Sequence, residues 1–377
     1  MKKRAVGALF LVLLLLTACG KTAVEQPITI CFVGSLTGSG EERGAAVEKG
    51  AELAIDGINQ AGGIFGRSLQ LVRYDAAAQN FSIGEMMKQA VEKDKAVAVL
   101  GDCDDSKMEK AASYANEYGI VLVTGAPHFE IPNIKDGYVF RSVPKSDIGI
   151  AQLVQYAVYK GCSQVVAIAV NNEPGRAGLD EFVSKVSKTE IGITQQTLFQ
   201  PGERYFTGIL DEIMQTAPDA VFIWASGKDL GRVTRRIRQS GYRGLVMGPD
   251  DYLQNNVLES AGIAADGVVF ASAYVIPTIP EEAESKAMRD FVKHYSAKYT
   301  DGLILKETLS GYDGVMNIAK AITDNGAVKT TGLNLSFKKI SGLRGLAGEF
   351  DYTKGDGEGI HTLRVYQMQS GKSVEAR

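Results

Sequence analysis

Histidine, cysteine, serine, aspartate and arginine carry most of the chemistry a chain can do, and their spacing here excludes more than it permits. His128, His294 and His361 lie far apart. No HExxH or paired-cysteine spacing accompanies them, so no zinc site is expected. No G-x-S-x-G elbow presents a serine nucleophile. The glycines at 34–44 miss both phosphate-binding patterns. Gly-Lys-Ser/Thr is absent, and a G-x-G-x-x-G frame opened at Gly38 puts Arg43 where the third glycine must stand. Without a nucleophile–base constellation, metal ligands or a phosphate loop, the expectation is a protein that is not an enzyme and uses no cofactor.

The residues that remain are suited to binding. Asp102, Asp104 and Asp105 cluster just before Ser106 and Lys107. They lack the alternating ligands and distant glutamate of an EF-hand. Two readings stay open for this cluster. The side chains cap the next helix, accepting hydrogen bonds from its orphan N–H groups at the positive dipole end, or they contact a ligand. Asp250, after Met247-Gly248-Pro249, is either a turn residue or an anchor for a ligand cation. Arg232, Arg235, Arg236 and Arg238 form a basic helix face, read as solvated surface.

Alternating elements must position these residues. The β-branched run at 28–34 reads as a buried strand ending in a glycine-containing loop. Val47, Ala51, Ala54, Ile55 and Ile58 then recur at helical spacing. Gly62 and Gly63 stop that helix, and Leu69, Val72 and Tyr74 resume a strand. Strands at 96–100 and 120–124 follow, with helices at 83–93 and 107–118. A second series reads as helix 148–159, strand 165–170, a polar loop at 171–178, helix 179–188, strand 193–199, helix 205–215, strand 220–224, helix 228–239 and strand 245–247. Residues 268–274 should carry the chain back to helices at 283–299 and 309–323, and the tail should end in edge strands. The expected architecture is α/β: two doubly wound parallel-sheet lobes joined by a multi-strand hinge, with a ligand cleft between them at the carboxyl ends of the strands. The expected boundaries are 28–143 plus 273–343 for lobe 1 and 144–272 plus 344–377 for lobe 2.

Residues 1–19 read as an address. Lys2, Lys3 and Arg4 precede an apolar run too short to span a bilayer. Leu16-Thr17-Ala18-Cys19 resembles the bacterial lipobox, in which the cysteine becomes the lipidated N-terminus, and 20–27 is a linker. Losing the leader takes 41 basic against 44 acidic residues to 38 against 44, a net charge of −6. So mildly acidic a body offers no general field for nucleic acid. Of the other cysteines, Cys31 sits mid-strand and Cys162 just before an apolar run, both read as structural. An odd count of three cannot all pair.

Phe32-Val33-Gly34-Ser35-Leu36-Thr37-Gly38, the helix with Gly50-Ala51-Glu52-Leu53-Ala54-Ile55-Asp56-Gly57-Ile58-Asn59, and Gly62-Gly63-Ile64-Phe65-Gly66-Arg67 together resemble the opening of the leucine/isoleucine/valine-type periplasmic binding proteins. Further landmarks are residues 138–144, Met247-Gly248-Pro249-Asp250 and Leu309-Ser310-Gly311-Tyr312-Asp313. The resemblance implies an extracytoplasmic receptor, lipid-anchored through Cys19 and monomeric, that delivers a small polar ligand to the permease subunits of an ABC importer. The ligand by family default is a branched-chain amino acid. An amide, urea or polyamine, or a ligand sensor uncoupled from transport, is the alternative.

In amino-acid-binding members of that family, the loops matching 102–107 and 124–128 hold the ligand carboxylate, and an acid at the Asp250 position pairs with its ammonium. The implied site is therefore Arg43, Asp104, Asp105, Ser106, Gly125, Ala126, His128 and Asp250, with Tyr274 walling the pocket. The departures are specific. Asp104 and Asp105 replace small hydroxyl residues, Arg43 stands where many have an aromatic lid, and Pro174-Gly175-Arg176 where many have a tyrosine. Some members join a cysteine near Cys103 to one after the second strand; Ala76-Ala77-Ala78 stands there instead, implying no such bridge.

Overall fold

A computed structural model describes residues 26–102, 105–277, 279–283, 285–300 and 304–376. Cys19, Cys103 and Asp104, and the side chain of Asp105, lie outside the described set.

The first sheet is built from β1 (Ile28–Gly34), β2 (Leu69–Asp75), β3 (Ala98–Asp102), β4 (Val121–Thr124) and β5 (Val139–Arg141), in the order β2-β1-β3-β4-β5. Every pairing in it is parallel. Strands β1, β3 and β4 are buried on both faces, which explains why they read as continuous apolar runs rather than alternating ones. The second sheet orders β6 (Gln164–Val170), β7 (Gly192–Phe199), β8 (Ala220–Trp224), β9 (Leu245–Gly248), β10 (Val268–Ser272), β13 (Arg364–Gln369) and β14 (Lys372–Glu375) as β14-β13-β10-β9-β8-β6-β7. Its parallel core ends in the antiparallel β13–β14 hairpin. A two-stranded ribbon, β11 (Leu343–Arg344) with β12 (Glu349–Phe350), precedes that hairpin in the chain.

Helices cover both sheets: α1 (Glu41–Gln60), α2 (Ile83–Glu92), α3 (Asp105–Tyr118), α4 (Ser146–Tyr159), α5 (Glu173–Val186), α6 (Thr207–Thr216), α7 (Gly227–Gln239), α8 (Asn255–Ala261), α9 (Lys286–Lys298), α10 (Lys306–Asn325) and α11 (Leu333–Phe337). Their apolar faces meet fully buried Val, Ile, Leu and Phe side chains, each contributing about 1.5–3 kcal/mol. No helix among the described residues is long and apolar enough to cross a membrane.

One packing detail fixes the position of the site. Helices α1 and α10 cross with their backbones in contact. A methyl at Gly50 would collide with the Thr308 carbonyl, and one at Gly311 with the Val47 carbonyl. Only glycine permits this approach. It holds the start of α10 against residues 47–50 of α1, and Arg43 stands about one turn earlier on the same helix.

The sheets are joined at three places. The chain leaves the first after β5, returns after β10, and crosses again near Glu358. There Arg141 N–H donates to the Gly357 carbonyl (2.8 Å). Asp313 of α10 is fully buried and accepts from Leu346 N–H (2.8 Å) and Ala347 N–H (2.6 Å), tying lobe 1 to the third crossing.

Three helix starts differ from the sequence reading by three residues or more. Helix α10 begins at Lys306, three residues before position 309, because its N-cap is Leu305, which carries no capping side chain of the usual kind. Helix α5 begins at Glu173 rather than 179. Pro174 sits in its first turn, and Asn172 caps it by accepting from Gly175 N–H (2.8 Å). The helix read from 283 begins only at Lys286, as α9, after a short 3-10 turn at Pro280–Glu282 that precedes the stretch read. The basic face of α7 is also less solvated than expected. Arg238 is half-buried and donates to the Gly244 carbonyl (2.8 Å), and Arg232 pairs with Asp229. Cys31 is a free, buried thiol pushed up to about 12 by burial and by Asp94, and so inert; Cys162 is free and half-buried.

Candidate functional site

A cavity of about 360 Å³ lies where the strand-tip loops of the two sheets face each other. From the first lobe come Arg43, the loop after β4 (Gly125, Pro127 and His128) and the first turn of α10 (Lys306, Glu307 and Ser310). From the second come the start of α5 (172–175), the β8 end (Trp224 to Ser226) and the β9 end (Gly248 to Asp251). Tyr274 and the crossing residues 143–146 and Ala347 complete it. Trp224 lies against Gly178 so closely that any side chain there would strike the indole. Behind it, Phe222 and Phe182 stack with ring centroids 3.8 Å apart. The indole meets His128 from the opposite lobe edge-on, centroids 6.3 Å apart and planes at 81°.

Of the residues implied by the sequence, Arg43, Gly125, His128, Asp250 and Tyr274 line this cavity. Ala126 is buried beneath it. Its N–H is taken by Thr124 Oγ1 (3.0 Å), and its carbonyl accepts from Arg141. Ser106 is exposed on the first turn of α3 and does not line the cavity. Asp104, the side chain of Asp105 and Cys19 fall outside the described residues.

Charged groups occupy two ends. At one end Arg43 forms an ion pair with Asp102, whose carboxylate is 2% exposed. Among the described residues, Asp102 Oδ2 is buried with no hydrogen-bond partner. It sits behind the cavity-lining Gly125, where an added methyl would be 3.5 Å from Oδ2 and 3.1 Å from Ser310 Oγ. At the other end Lys306 Nζ lies 2.9 Å from Asp250 Oδ1 and 2.7 Å from Asp251 Oδ2. Tyr274 donates its hydroxyl to Asp250 Oδ2 (3.2 Å), and Gln254 donates to Asp251 Oδ1 (3.3 Å). Burial opposes the charge of Lys306, but the two carboxylates outweigh it and raise its pKa. Asp251 is pushed up by burial and by Asp250, with Lys306 pulling the other way.

Two titratable neighbours are set apart by their surroundings. Burial raises Glu307 to about 7, with Asp251 adding to the rise and Lys306 and Arg43 opposing it. Burial lowers His128 to about 4, helped by the positive charges of Lys306, Arg141 and Arg43, so the imidazole is neutral at neutral pH. Beneath the β4 loop, Arg141 is wholly buried. It pairs with Glu358 (2.8 Å) and donates to the Ala126 and Phe129 carbonyls, fixing the loop that presents His128.

Sequence reasoning missed Lys306, Glu307, Asp251 and Trp224 as lining residues, and the support given by Arg141. Lys306 was hidden by the late start assigned to α10. Trp224 ends an apolar strand whose following loop the topology directs to the gap between lobes, but nothing in the sequence singles out its side chain as lining. No metal-binding cluster occurs among the described residues. The site can bind, through an apolar floor and a few charged and hydroxyl groups.

Residues 27–373 match the family model described as periplasmic binding protein. The Leu/Ile/Val-binding protein of Escherichia coli is 23% identical over 349 residues, covering 89% of this chain and 93% of that one. Two solved structures share the fold. One is the branched-chain amino acid transporter substrate-binding protein of Streptococcus pneumoniae in complex with isoleucine (TM-score 0.76, 22% identity, 92% of this chain and 97% of that one). The other is an ABC transporter solute-binding protein of Rhodopseudomonas palustris in complex with benzoate (TM-score 0.73, 19% identity, 93% and 95%).

Proposed function

Because the chain belongs to the periplasmic binding protein family, a family of solute-binding proteins that work with ABC permeases, we propose that it is an extracytoplasmic receptor delivering a small polar ligand to an ABC importer. By the pattern of the relatives named for Leu, Ile and Val, the ligand's functional group is an α-ammonium. The observation that carries this reading is the shared cavity, lined by strand-tip loops of both lobes and bridged by Lys306, Asp250 and Asp251. Asp250 and Asp251 bring two carboxylates to one lysine ammonium. That end lacks one positive charge, which a ligand ammonium would supply. Ligand enters the open cleft, both lobes contribute contacts, and closure stabilises the complex.

A thermal-shift screen of amino acids, amides and polyamines tests the reading, since a tight ligand raises the melting temperature by mass action. A receptor is expected to respond strongly to one chemical class. A flat profile across every class, with no uptake defect in a deletion strain, would count against it. We assign the membrane anchor to Cys19. Cys19→Ser should move the protein from the membrane fraction to the soluble one, and a soluble wild-type product would remove the assignment.

A further inference from the structure

Resting on the cavity as the ligand site, we propose that its ligand is a cationic amine without a free carboxylate, an amino-acid amide or a short alkyl or aryl amine, rather than a zwitterionic amino acid. The lysines and arginine that line the cavity are each already ion-paired within the chain. Arg43 is paired with Asp102, Lys145 with Glu130 (2.8 Å), and Lys306 with both Asp250 and Asp251.

Two backbone donors of the β4 loop are committed as well. Gly125 N–H donates to the Gly101 carbonyl (3.0 Å), Ala126 N–H to Thr124 Oγ1, and Pro127 has none to give. The N-terminus of α5 is closed by the Asn172 side chain. A ligand carboxylate arriving beside Arg43 meets the buried Asp102 in the place where it would itself have to bind. Like charges at that range repel strongly in a cleft screened from water.

The acids have no such balance. Asp250 and Asp251 share a single lysine. Asp102 Oδ2 is buried, without a hydrogen-bond partner among the described residues, immediately behind the lining residues Gly125 and Ser310. An ammonium satisfies the first deficit. A primary amide N–H₂ or second amine lying over Gly125 brings donors toward the second, where a carboxylate brings only acceptors. The apolar walls of Trp224, Leu153 and Leu363 take the body of the molecule.

Titration calorimetry on the wild-type protein at neutral pH decides the matter with two matched series. These are leucine, leucinamide, isoamylamine and 4-methylpentanoate, and phenylalanine, phenylalaninamide, phenethylamine and 3-phenylpropanoate. The amide or the amine is expected to bind at least about ten-fold tighter than the parent amino acid, and the acids not at all. An amino acid binding as tightly as its amide, or any acid binding, overturns the inference while leaving the receptor reading intact. Silence from all eight compounds overturns the inference, and the receptor reading then stands or falls by the wider screen. Asp102→Asn, which releases Arg43, should shrink the preference for amide over amino acid by about five-fold or more in a protein of wild-type melting behaviour. An unchanged ratio in the folded variant counts against the proposal; should the variant not fold, the wild-type series still decides.

Discussion

The two charged ends of the cavity are built differently. The Arg43–Asp102 pair belongs wholly to the first lobe: Arg43 rides on α1, and Asp102 ends β3 of the same sheet. The Lys306 cluster spans the gap, since α10 packs on α1 while Asp250 and Asp251 follow β9 of the other sheet. Opening the lobes leaves the first pair intact and breaks the second. One end is thus a fixed part of the wall. The other is assembled from both lobes, so there a ligand can trade contacts with charges that meet across the gap.

Substitutions can break this contrast, beginning with the support beneath the fixed end. Arg141→Ala leaves Glu358 unpaired and two loop carbonyls without their donor. It should destabilise the protein by about 4 kcal/mol in urea unfolding. A loss under about 1 kcal/mol would mean the loop is held by something else. Lys306→Met comes next. It places two carboxylates together without their cation, and about 3 kcal/mol of stability should go in the ligand-free protein. The loss should fall if the lobes simply open, which small-angle scattering would detect as a larger radius.

Asp250→Ala should weaken binding of leucinamide by about 2 kcal/mol, with the fold kept, because Asp251 alone then faces both Lys306 and the ligand ammonium. Unchanged affinity in calorimetry would move the ammonium site elsewhere. The smallest effect is on pH dependence. Glu307 holds its proton in the folded state up to about 7, whereas the unfolded chain releases it near its ordinary value. The native state therefore binds more protons between those values, and stability falls as pH rises through 7. The groups facing Glu307 are Lys306, Asp251 and Arg43. Between pH 6 and 8 wild type should lose about 1 kcal/mol relative to Glu307→Gln. Parallel melting-temperature profiles for the two proteins would show that Glu307 is ionised throughout.

The contrast also marks how far the sequence could be read. The fixed lobe-1 scaffold was legible because its signals are local. The apolar run at β1, the helical spacing of Val47, Ala51 and Ile58, and the Gly62-Gly63 stop all stand within one unit. Asp250 and Tyr274 could be named because they follow strand ends. The charge pairing could not. Arg43 and Asp102 are 59 residues apart, and Lys306 and Asp250 are 56 apart. A pair formed at such separation leaves no periodic trace. Lys306 is further obscured because Leu305 gives no capping signal, so the sequence pattern starts the helix at its first apolar repeat. Pro174 misleads in the other direction: in a polar glycine-containing stretch it reads as a loop residue, although beside an asparagine cap it equally marks the start of a helix.

The chain contains one tryptophan, Trp224, which stands in the cavity wall against an imidazole from the facing lobe. Its fluorescence has no competing indole signal. Separation of the halves would remove the neighbouring ring and admit solvent, shifting the emission to longer wavelength. An unlabelled sample in a stopped-flow instrument would thus give opening and closing rates directly. Acidifying toward the range where His128 takes up its proton would place a charged quencher beside the indole, dimming the closed form more than the open one.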